Sequence, residues 1–124
     1  MALKARAAAA LLAALAMPIS ALHAETLAEL DALSDTAQDE RAGVAAAQAL
    51  AAQGAYLEAL ATLERLLAVH PRSPEGRLLH ALYLCRIDDR RGGQVELARL
   101  KPREFGAETL ADARTACAAG GEAP

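Results

Sequence analysis

Alanine fills 34 of the 124 positions, against one Phe, two Tyr and no Trp. Ala has the best intrinsic helix propensity and buries little apolar area. A chain built this way folds by close approach of small helix faces. The Val, Ile, Thr and aromatic content of a sandwich or barrel is missing. No segment alternates apolar and polar residues with period two, so no sheet is expected. The fold class read from these features is all-α.

The first 24 residues read as an export signal. Lys4 and Arg6 give a positive start, and Ala7 to Met17 is an uncharged apolar run ended by Pro18. Ile19-Ser20-Ala21-Leu22-His23-Ala24 follows, with a small residue at its last position, which gives the order of a secretory signal peptide. Cleavage is expected after Ala24, with Ala21 as the second site. The uncharged stretch from Ala7 to Leu22 is 16 residues long, short of the roughly 20 that span a bilayer. No cysteine stands at the cut to carry a lipid. The expectation is an exported protein, in the periplasm or secreted, with no stable membrane anchor after cleavage. Cleavage lowers the basic residues from 13 to 11 against 16 acidic ones, a net charge of −5. That balance does not suit a general polyanion binder, so no nucleic-acid partner is expected.

The mature protein, about 100 residues in one domain over 25–119, reads as consecutive short helices. Thr26 to Glu29 has capping-box form, and Leu27, Leu30 and Leu33 follow at helical spacing. A first helix is expected over 25–33, broken by Ser34-Asp35-Thr36. Thr36 and Asp39 make a second capping box before an Ala-rich helix over 39–53, which Gly54 ends. The next helix runs over 56–69, with Leu57, Leu60, Leu63 and Leu67 on one side, and His70-Pro71 stops it. Ser73-Pro74-Glu75 restarts the helical pattern with a cap, a first-turn proline and an acid near the positive helix end. A fourth helix over 74–87 follows, then a turn from Asp88 to Gly93. A short helix over 94–101, ended by Pro102, and a last one over 105–118 complete the series. Residues 120–124 form a frayed tail.

This organisation resembles a tetratricopeptide repeat, most clearly over 40–73. That family repeats a pair of antiparallel helices every 34 residues or so. With Pro71 at the near-terminal proline, Ala47 falls at the small position of the first helix and Gly54 and Tyr56 at the turn. Ala59 and Leu63 take the small and large positions of the second helix. Three positions depart from the pattern: Gly43 stands where a Trp is usual, Leu50 where a Tyr is usual, and Leu66 where a small residue is usual. A second unit runs over 74–104, with Ala81 at its small position, and the helix over 105–118 begins a third or caps the array. Pro102 comes 31 residues after Pro71, so the second unit is short. The resemblance implies an α-solenoid of about two and a half repeats. It also implies a partner groove lined by first helices, here Arg41, Val44, Gln48, Glu75, Leu78, Leu82 and Arg86. Val44, Leu78 and Leu82 could equally be core under the terminal helix.

Cys85 and Cys117 are the only cysteines. An exported protein meets an oxidising compartment. The repeat register puts both near the same point of successive first helices, so a disulfide is expected, with two separately buried cysteines as the alternative. His70 sits at a helix end, where it can meet the last carbonyls, and His80 lies within the fourth helix. There is no Cys-x-x-Cys, no His-x-x-x-His and no phosphate loop after a strand. Ser34 and Ser73 read as caps. No metal site, cofactor or catalytic residue is expected, and the protein reads as non-enzymatic. Arg86, Arg90, Arg91, Arg99, Lys101 and Arg103 interleave with Asp88, Asp89, Glu96 and Glu104. They read as a solvated face of weak ion pairs. The sharper alternative is an anchor for an acidic peptide or a polypeptide C-terminus.

The functional expectation is an exported adaptor that binds another protein or peptide along a helical groove. Two rivals are a soluble subunit of an envelope or outer-membrane assembly or secretion machine, and a disulfide-stabilised secreted effector.

Overall fold

A computed structural model describes residues 26–119. The expected signal peptide over 1–24 and the expected frayed tail over 120–124 lie outside the described residues. The described residues form an all-α array of seven helices: α1 (Leu27–Gln38), α2 (Glu40–Ala52), α3 (Tyr56–Val69), α4 (Pro74–Arg86), α5 (Arg90–Arg99), α6 (Pro102–Phe105) and α7 (Ala107–Ala119). No strand occurs among them. Short connections make α2 and α3 one hairpin and α4 and α5 the next, and α3 packs on α4. At one end α1 lies against α2 and α3, and at the other α7 lies against α4 and α5. The arrangement is compatible with a helical-repeat fold.

Local chemistry sets the helix ends. Thr26 opens α1 with a full capping box: its hydroxyl accepts from the Glu29 N–H at 3.2 Å, and its own N–H donates to Glu29 Oε2 at 2.6 Å. The expected break at Ser34-Asp35-Thr36 does not occur, and α1 continues to Gln38. The Thr36 hydroxyl donates to the Ala32 carbonyl at 2.8 Å, so it is satisfied inside the helix. Asp39 alone makes the corner, with an extended backbone and a side chain that caps Ala42 at 2.9 Å. Gly54 turns the first hairpin at φ 78°, a left-handed conformation that favours glycine. Ser73 caps α4 by accepting from the Gly76 N–H at 3.1 Å, with Pro74 in the first turn.

The expected turn over 88–93 is shorter than the sequence reading gives. Only Asp88, at φ 69°, and Asp89 lie between the capping Ile87 and α5, and Asp89 caps α5 by accepting from Gly92 N–H at 2.9 Å. Gly92 and Gly93 therefore lie inside α5, which begins four residues before the expected helix over 94–101. The terminal helix, expected over 105–118, instead begins two residues later at Ala107, after the short α6 and Gly106.

Two apolar clusters share α4. Val44, Ala47, Ala59, Leu63 and Leu66 form the first, with Leu79 and Tyr83 of α4 against them. Ala81, Cys85, Leu97, Leu100, Leu110, Ala113 and Cys117 form the second, with Leu78 and Leu82 of α4 and Phe105 against them. Ala47, Ala59, Leu63 and Ala81 are fully buried. Small side chains at these positions let helix backbones approach, and the leucines fill the space beside them.

Candidate functional site

The tetratricopeptide resemblance implies a partner groove along α2 and α4. They come together there, with Gln48 Nε2 donating to Glu75 Oε1 at 3.3 Å. Arg41, Gln48, Glu75 and Arg86 are exposed. Val44 is only 5% exposed and belongs to the first cluster, while Leu78 and Leu82 are half-buried against the second. The side chains this face offers to solvent are thus mainly polar, and its apolar members double as core.

An open depression of about 760 Å³ lies where α1, α2 and α4 meet, lined by Asp35, Gln38, Asp39, Glu40, Arg41, Val44 and Glu75. Four carboxylates to one guanidinium make it electronegative. Asp35 and Asp39 escape a reading confined to first helices, because Asp35 belongs to α1. They enter only because α1 runs on past the expected break.

Arg86, on α4, is held differently. Its guanidinium carbon stands 5.1 Å from the centre of the Tyr56 ring, within cation–π range. Tyr56 meets Tyr83 edge-on at 5.6 Å. Burial, and secondarily the nearby Tyr56, push the Tyr83 phenol above its ordinary range. Tyr56, which the repeat register places only at a turn, therefore also orients Arg86. In the basic run further on, Arg90 pairs with Asp88 at 3.0 Å; Arg77, ahead of that run, donates from Nη2 to the Arg99 backbone carbonyl at 3.4 Å.

Cys85 and Cys117 are bonded, with Sγ atoms 2.07 Å and Cα atoms 5.2 Å apart. The bridge ties α7 to α4 under Gly93. Pro71 follows α3 in the exposed turn before Ser73.

The two histidines of the described residues hold helices together. His70 Nε2 lies 2.8 Å from the Gln38 carbonyl, so it meets the end of α1, not the last carbonyls of its own helix. His80 stands between two carboxylates. Its Nδ1 is 2.7 Å from Glu96 Oε2 on α5, and its Nε2 is 3.7 Å from Glu64 Oε1 on α3. Nε2 is buried and has no hydrogen-bond partner among the described residues. No group of three His, Cys, Asp or Glu among the described residues is placed to hold a metal ion, and no helix among them is long and apolar enough to cross a membrane. Comparison with protein-family models, with curated proteins and with solved structures found no match to the sequence or its fold.

Proposed function

We propose that this protein is an exported, non-enzymatic adaptor of the tetratricopeptide-like class, which binds another protein or peptide across the face formed by α2 and α4. The observation that carries the reading is the juxtaposition of Arg41 and Glu75 in one open depression, with Gln48 donating to Glu75 across the two helices and Arg86 on the same helix as Glu75. Charged and polar groups at the two ends of a helical face suit the capture of a peptide by its own charges. The negative depression favours a basic residue of the partner, and Arg86 favours a carboxylate. The tetratricopeptide-like assignment draws support from two departures that offset each other. Leu66, where a small residue is usual, fills the space above Gly43, where a large one is usual.

The test is recovery of a specific partner from the protein's own envelope under gentle cross-linking, followed by exchange of exposed charges. Loss of that partner in Glu75→Lys and Arg86→Glu variants with unchanged circular dichroism supports the adaptor. Retention in both argues against the α2–α4 face. A second reading, a subunit of an envelope assembly machine, is favoured by the open end of the array. There Leu27 is 80% and Leu30 44% exposed, as in an end helix whose neighbour is supplied by another protein. Sedimentation of the mature protein with the membrane fraction, abolished in Leu27→Glu, would favour that reading.

A further inference from the structure

We propose that His80 is a proton-operated link between the two helical hairpins: the doubly protonated ring ties Glu64 of α3 to Glu96 of α5 through α4, and the neutral ring holds Glu96 alone. The geometry carries this. Glu96, as a carboxylate, only accepts, so its 2.7 Å contact requires a proton on His80 Nδ1. In a neutral imidazole the other nitrogen is then a lone pair. That lone pair is buried, has no donor among the described residues and faces the Glu64 carboxylate at 3.7 Å. Two acceptors face each other in that state. A proton on Nε2 converts the contact into an ion pair of opposite charges at 3.7 Å, which a small turn of the exposed Glu64 side chain closes to a charge-assisted hydrogen bond.

The surroundings complete the charge balance. The groups around the ring are Glu64 from α3, Arg77 from α4 itself, and Glu96 and Arg99 from α5, all lining one depression. Arg77 is directed to the Arg99 backbone carbonyl, so among the described residues neither carboxylate has an arginine ion pair within 4 Å. Of the charged groups around this depression, the ring is the one that meets both acids. Because α4 belongs to both apolar clusters, a link across it governs how firmly the first hairpin is held on the second.

The experiment follows thermal unfolding of the wild type, Glu64→Gln and His80→Gln in a chelating buffer between about pH 5 and pH 8, where histidine changes charge. His70 is common to all three proteins. We expect the wild type to exceed Glu64→Gln in Tm at the acidic end by about 1–4 °C, the shift for one solvent-screened ion pair in a domain of this size. We expect that margin to vanish or reverse at the alkaline end, because the amide in Glu64→Gln can donate to the bare Nε2. His80→Gln should lose the same pH-dependent part, and ¹⁵N NMR should show Nε2 gaining its proton as the margin appears. A margin between wild type and Glu64→Gln that is constant across the range overturns the proposal. Glu64 has a side chain 69% exposed, so this comparison stands even if His80→Gln does not fold.

Discussion

Leu66 occupies the space that Gly43 leaves open: a Cβ at Gly43 would stand 2.6 Å from Leu66 Cδ1, closer than packed carbons approach. Leu66 is fully buried and cannot swing aside into solvent. The same leucine comes within 2.9 Å of a Cβ built on Gly76, so one side chain seats α3 against both α2 and α4.

Gly43→Ala should therefore destabilise the protein. Overpacking costs about 1–3 kcal/mol, set against a helix-propensity gain of about 1 kcal/mol. Leu66→Ala alone should cost about 2–5 kcal/mol through the cavity it leaves. The double variant should lose less than the two together by at least about 0.5 kcal/mol, measured by urea unfolding. Strict additivity would mean that the two residues do not share this space.

The disulfide should be the main tie between α7 and the rest. The bridged cysteines are 32 residues apart, a loop for which chain entropy gives about 3–4 kcal/mol. Denaturant unfolding with and without a reductant should differ by that amount, and hydrogen exchange should rise first in α7. Gly93→Ala should also weaken this region, because its Cβ would clash with Cys85 Sγ and stand 2.7 Å from the Ala81 carbonyl oxygen.

Neighbouring alanines on α2 should respond oppositely to the same change. Ala47 is fully buried in the first cluster, and Ala47→Leu should cost about 1–3 kcal/mol by overpacking. Ala49 is exposed and lines an apolar cleft of about 350 Å³ between α1, α2 and α3. Ala49→Leu should be neutral or stabilising, because the cleft has room for it. Chemical denaturation of the two variants reads the contrast directly.

The pH response of the helix start follows from Glu29. Its carboxyl is held below the ordinary range, first by the Thr26 N–H and then by the Thr26 hydroxyl. A carboxyl lowered by folding contributes above its unfolded value, and the contribution is lost as pH falls through the folded one. Acid titration followed by NMR should show the first turn of α1 fraying as Glu29 gains its proton. Tyr83 has the opposite sign: its phenol is raised, so its contribution is complete below the ordinary phenol value and is lost as pH rises above it. Tyr83→Phe should flatten the alkaline limb.

The punctuation of the array was legible because caps and breakers act locally. Thr26, Gly54, Ser73 and Pro74 each mark a helix end where the sequence reading expects one. The helix-period pattern with scarce β formers led directly to an all-α array. The misses have tertiary causes. Thr36 looks like a cap, yet packing of α1 on α2 and α3 favours one more turn, and its hydroxyl turns back to Ala32. Gly92-Gly93 looks like a turn, yet α5 approaches the Cys85–Cys117 bridge so closely that only glycine fits at position 93. The His80 cluster was invisible because its three members come from three helices, 16 residues apart at each step. The electronegative depression was missed for the same reason, since it needs α1 beside α4.

We propose the α2–α4 face as the site that receives a protein partner. Photo-cross-linking from a reactive residue at Gln48, in the intact envelope, tests it most directly, with the same residue at the exposed Leu57 of α3 as control. A discrete protein adduct is expected from Gln48, absent from Leu57 and lost when Arg86→Glu is added. A folded, exported protein that gives no adduct from Gln48, or gives the same adducts from both positions, would contradict it.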